Sequence, residues 1–94
     1  MNGGSRYKVP QGKLLEMRID YDSKIRKVEM LGDFFLYPEE SITEIEKAIV
    51  GIGVDESEEK IAERIRRLES SEGIEMIGIT PEAIARAVKM AVER

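Results

Sequence analysis

The 94-residue chain contains no cysteine, no histidine and no tryptophan. Without cysteine there is neither a disulfide framework nor a thiolate nucleophile, a composition that fits an intracellular protein better than a small secreted one. Without histidine, the commonest general acid–base near neutral pH and the commonest metal ligand are both missing. Long apolar runs are absent too. The longest, "AIVGIGV", is far too short to span a bilayer, and the start "MNGGSRYKVPQGK" has no apolar signal-peptide segment. The expected location is the cytoplasm, with no membrane contact.

Excess positive charge is also lacking. A net charge of −4 gives no clustered surplus of Lys and Arg to neutralise phosphates, which argues against a nucleic-acid binder. The distribution is uneven: residues 1–31 hold seven Lys/Arg and four Asp/Glu (+3), and residues 32–94 hold eight and fifteen (−7). The basic first third reads as a solvated strand face, with attraction of an anionic partner as the alternative.

What is present is a patterned α+β sequence. Residues 1–12, rich in Gly, Ser and Asn, read as a flexible N-terminal arm, leaving 13–94 as one domain. In "KLLEMRIDY", Leu15, Met17, Ile19 and Tyr21 alternate with Glu16, Arg18 and Asp20, the period of a half-buried strand. "YDSK" reads as a hairpin turn, and "IRKVEML" as the return strand with Val28 and Met30 inward. After the short strand "FFLY", Pro38 is expected to open a helix with Ile42, Ile45 and Ile49 on its apolar face and Gly51 as its stop. Asp55 is expected to cap a second helix, with Glu58 completing a capping box and Ile61, Ile65 and Leu68 as its stripe. "GIEMIGI" reads as a strand. Thr80 and Pro81 then begin a last helix that buries Ile84, Val88, Ala91 and Val92. The order predicts a small, mostly antiparallel sheet, a two-stranded hairpin plus short strands, covered on one side by about three helices.

No catalytic constellation emerges. "GIGVDE" has neither the dinucleotide fingerprint nor a P-loop lysine. The pairs Glu39/Glu40 and Glu58/Glu59 sit where first helical turns favour negative charge, and no oxygen-ligand series for a metal appears.

The stretch "LGDFFLYPEE" is different, because it places two of the five aromatic residues side by side. Neighbouring side chains on a strand point to opposite faces, so Phe34 and Phe35 cannot share one core. Parity puts Phe34 with Leu36 and Phe35 with Tyr37. One ring is expected to serve the fold, and the other is either covered by a helix of this chain or meets a partner.

From Lys8 to Gly51, "KVPQGKLLEMRIDYDSKIRKVEMLGDFFLYPEESITEIEKAIVG" resembles the C-terminal accessory domain of lipoate-protein ligases. In that family a K-x-P-G-G-K approach, a hairpin, the "GDFF" turn, a Pro-Glu-Glu helix start and a closing L-x-G recur in this order. "GITPEAIARAVKMAV" is similar to the family's final segment, and Gln11 stands where the family usually has Gly. The resemblance implies a free-standing, non-catalytic accessory subunit, as in some archaeal versions, that forms a heterodimer with a separate catalytic subunit. It also implies that ATP, Mg and lipoate are held by that partner rather than by this chain, that lipoate is activated to lipoyl-AMP, and that the lipoyl group passes to a lysine of an acceptor domain. Gly32, Asp33, Phe34 and Phe35 are the expected partner interface, with Lys13 a weaker candidate for approaching an anionic ligand. A self-associating or ligand-sensing module with no enzyme partner is the competing class.

Overall fold

The computed structural model describes residues 1–92. Its elements run β1 (Asn2–Lys8), β2 (Leu14–Tyr21), β3 (Ile25–Gly32), β4 (Phe35–Tyr37), α1 (Ser41–Ile49), α2 (Glu58–Glu72), β5 (Glu75–Ile77) and α3 (Pro81–Val92). The first three strands form an antiparallel sheet in the order β1-β2-β3, and β4 pairs antiparallel with β5 in a separate two-stranded sheet. This is the α+β class that the element order predicts.

The alternation in β2 does what a period of two requires. Leu15, Met17, Ile19 and Tyr21 are buried beneath the helices, joined from β3 by Ile25, Val28 and Met30. Helix α3 lies over β1 and β2, α1 over β3, and α2 packs on both helices. Their stripes, Ile45 and Ile49, Ile61 and Ile65, and Ile84 and Val88, close the core. The opposite face of the sheet is polar, with Arg6 facing Glu16 at 3.6 Å and Arg18 facing Glu29 at 3.9 Å across the strands.

Residues 2–8 are a strand of the main sheet, where composition alone reads an arm. The cause is tertiary. A Cβ on Gly3 would lie 1.9 Å from the Ala91 carbonyl oxygen, so only glycine lets β1 run directly beneath α3. Ser5 fastens the same contact by donating its hydroxyl to the Ala87 carbonyl at 2.8 Å.

Two helix starts also shift. Pro38, Glu39 and Glu40 form a turn, with the Ser41 N–H bonded to the Pro38 carbonyl at 3.0 Å, and α1 begins at Ser41. Ser57 rather than Asp55 caps α2: its hydroxyl accepts the Lys60 N–H at 3.2 Å, and Glu58 becomes the first helical residue instead of a capping-box partner. Thr80 caps α3 as expected, accepting the Ala83 N–H at 3.0 Å.

The edges of the three-stranded sheet differ. At β3, the Met30 N–H is taken by the Glu46 carboxylate at 2.9 Å, and Ile25 exchanges 2.8 Å backbone bonds with Ile52 and Gly51. That edge is sealed from within the chain.

Candidate functional site

The turn "LGDF" leaves the main sheet at Gly32, which has a φ of 152°. A Cβ there would fall 2.2 Å from the Leu14 carbonyl oxygen and 3.1 Å from the Phe34 ring. Glycine is required because the backbone of β3 crosses that of β2 closely enough to leave no room for a side chain. Asp33 is exposed beyond it. Phe34 is half-buried and packs against the core, and Leu36 is buried. Phe35 and Tyr37, on the other parity, keep 58% and 48% of their surface exposed.

Pairing with β5 completes this outer face. The register sets Phe35 opposite Ile77, Leu36 opposite Met76 and Tyr37 opposite Glu75. Directly opposed residues share a face. Leu36 and half-buried Met76 therefore turn inward, while Phe35, Tyr37, Ile77 and Glu75 all point out. Ile77 is 44% exposed, so an aromatic pair and an isoleucine form one continuous apolar face on a three-residue sheet. Large apolar groups exposed together on so small a domain mark an interaction surface more often than scattered single residues do.

Lys13 is carried to the border of this face by the backbone. Its N–H bonds the Gly78 carbonyl at 2.9 Å, and its side-chain stem lies against Gly78, the residue after Ile77. The sequence-derived set is thereby brought into one region: a Cβ on Gly32 would meet the Phe34 ring, and one on Gly78 would meet both the Lys13 stem and the Phe34 backbone. Tyr37 was marked by parity with Phe35, whereas Ile77 and Glu75 had no local signal, since only the β4–β5 register places them there.

Among the described residues no group of three or more acidic, His or Cys side chains could hold a metal. The depression on the open sheet face, about 480 Å³, is lined by Asn2, Gly4, Arg18, Asp20, Lys27 and Glu29, and its Arg18 and Glu29 are already paired. Two exposed groups have shifted acidity, and both are structural. The Asp22 carboxyl is held below the usual carboxylate range by the Lys24 N–H and the Arg26 guanidinium. Arg66 is raised by hydrogen bonds to Glu59, on its own helix, and to Glu82, which ties α2 to α3. Among the described residues no helix is long and apolar enough to cross a membrane.

No family model matches the chain. It is 31% identical over 78 residues to "Lipoate-protein ligase A subunit 2" of Thermoplasma acidophilum, an alignment covering 82% of this chain and 78% of that one. The chain belongs to the lipoate-protein ligase subunit 2 family. A solved structure agrees, with a TM-score of 0.77 and 29% identity over 94% of both chains; it comes from a study of an archaeal lipoylation system comprising a bipartite lipoate protein ligase and its E2 lipoyl domain, also from Thermoplasma acidophilum. This is the family that the "GDFF" turn and its flanking segments resemble. Membership also gives Gln11 a context: it adopts a φ of 58°, a left-handed conformation, at the place where the family pattern has glycine.

Proposed function

We propose that this chain is the accessory subunit of a bipartite lipoate-protein ligase and docks on a separate catalytic subunit through the face formed by Phe35, Tyr37 and Ile77. The observation that carries the reading is that face, on a chain whose subunit 2 relative is named as part of a ligase. In the proposed reaction the catalytic subunit binds ATP, Mg and lipoate, forms lipoyl-AMP and transfers the lipoyl group to a lysine of an acceptor domain. The chain has no histidine and no cysteine, so the reading leaves the chemistry to the partner. Docking orders the partner's adenylate-binding loops and excludes water, which strengthens the electrostatic stabilisation of the charge that develops at the α-phosphate. The accessory subunit then moves aside for the acceptor protein.

The test is reconstitution. Mixed with the cognate catalytic subunit, lipoate and ATP, the chain accelerates pyrophosphate release far more than it accelerates transfer from preformed lipoyl-AMP. Equal stimulation of both half-reactions removes the assignment to the activation step. Micromolar binding of ATP or lipoate to the isolated chain contradicts the accessory role.

A further inference from the structure

Exposed carboxylates flank the apolar face. Glu75 stands beside Tyr37 on the outward side of the β4–β5 sheet, and Asp33, Glu39 and Glu40 flank β4 in the chain, all four exposed. None of the four takes part in an ion pair among the described residues, unlike Glu59, Glu63 and Glu82, which are paired with arginine. The segments that build this sheet are also devoid of cations: no lysine or arginine occurs between Lys27 and Lys47, or between Arg67 and Arg86. Lys13, beside Gly78, is the cation that the fold brings to its border.

From this charge pattern we infer that the surface receiving Phe35, Tyr37 and Ile77 is an apolar depression rimmed by lysine and arginine on the catalytic subunit; the inference rests on the docking reading above and specifies its chemistry. Carboxylates brought against a neutral rim lose hydration without gaining a partner, and against an acidic rim they repel. Against a basic rim they are paired, and the opposed fields steer the encounter before contact. The same logic disfavours a second copy of this chain as the occupant, since face-to-face pairing sets one acidic rim against another. The rings supply adhesion, and the rim supplies rate and partner choice.

The experiment compares three proteins by stopped-flow association with the cognate catalytic subunit at low and high salt: wild type, Phe35→Ala, and the double variant Glu39→Lys/Glu75→Lys. All substituted positions are exposed, so each variant keeps its melting temperature, and near-UV dichroism verifies the fold. The expected result is that reversing the two charges slows association roughly tenfold or more at low salt, that the difference collapses once the screening length falls toward ~3 Å near 1 M salt, and that Phe35→Ala acts chiefly on dissociation. If Phe35→Ala weakens the complex while the charge-reversed protein associates as fast as wild type, the basic rim is refuted and the docking face stands. If Phe35→Ala leaves the complex unchanged, the docking face itself is refuted and the rim with it. A homodimer in sedimentation that Phe35→Ala dissolves overturns the inference in favour of self-association.

Discussion

Truncating Phe35 and truncating its neighbour Leu36 should have opposite consequences. Leu36 is 6% exposed and faces the core with Met76. Leu36→Ala removes buried methylenes and leaves a partial cavity, a loss of about 2–5 kcal/mol. For a domain of this size each kcal/mol moves the melting temperature by roughly 4–8 °C, so the variant melts at least about 8 °C early. Phe35 keeps 58% of its surface in solvent, and Phe35→Ala therefore leaves stability within about 0.5 kcal/mol. Its value lies in the exposed part. Full burial of a phenylalanine is worth about 1.5–3 kcal/mol, so covering the exposed 58% gives roughly 1–2 kcal/mol, or about 5- to 30-fold in dissociation constant. Thermal melts followed by calorimetric titration with the catalytic subunit read both quantities. Phe34→Ala should fall between, because that ring is half-buried against the core and beside Gly32. If Phe35→Ala melts as early as Leu36→Ala, the ring is part of the fold. If it melts normally and binds normally, exposure at this position has no connection with docking.

Other substitutions probe the scaffold. Gln11→Gly relieves a left-handed backbone conformation and should raise stability by about 1 kcal/mol in a denaturant titration, whereas no gain would mean that the Gln11 side chain compensates locally. Ser57→Ala should cost about 1 kcal/mol and Asp55→Ala almost nothing at the α2 N-terminus; equal losses would contradict the cap assignment. Gly32→Ala should destabilise more than either, since its Cβ meets the Leu14 carbonyl oxygen at 2.2 Å, and a melting temperature equal to wild type would show that β3 can shift. The folded pKa of Asp22 is depressed, so its contribution is complete above the unfolded value near ~3.9 and is lost as pH falls through the folded value. The melting-temperature gap between wild type and Asp22→Asn should thus be constant above about pH 5 and shrink below pH 4; a gap independent of pH would show that the Arg26 pair is inert.

Strand β2 and helix α3 were legible because their information is local: strict alternation in one case, and a Thr-Pro start with an apolar stripe in the other, whereas in β3 the register shift beside Tyr21 buries Ile25 off the parity of Val28 and Met30. Strand β1 was not, because glycine carries no side-chain pattern and the reason for Gly3 lies in Ala91 at the other end of the chain. The choice between Asp55 and Ser57 depended on where the loop released the backbone, and both residues are competent caps. At the candidate site, parity alone separated Phe35 and Tyr37 from Phe34 and Leu36. It could not say which pair faced outward, nor supply Ile77, because only the pairing of β4 with β5, across two intervening helices in the chain, places that residue there.

The bond from Ser5 to Ala87 joins positions 82 residues apart, and the same contact line brings Gly3 against Ala91. An edge strand near the start of the described chain is thus roofed by a helix near its end. Closing so long a loop is costly until most of the chain is available to reward it. The hairpin of β2 and β3 can thus form early, but the part of its apolar face that α3 covers stays open until that helix docks. Truncation within α3 should therefore yield an aggregation-prone chain rather than a shorter domain.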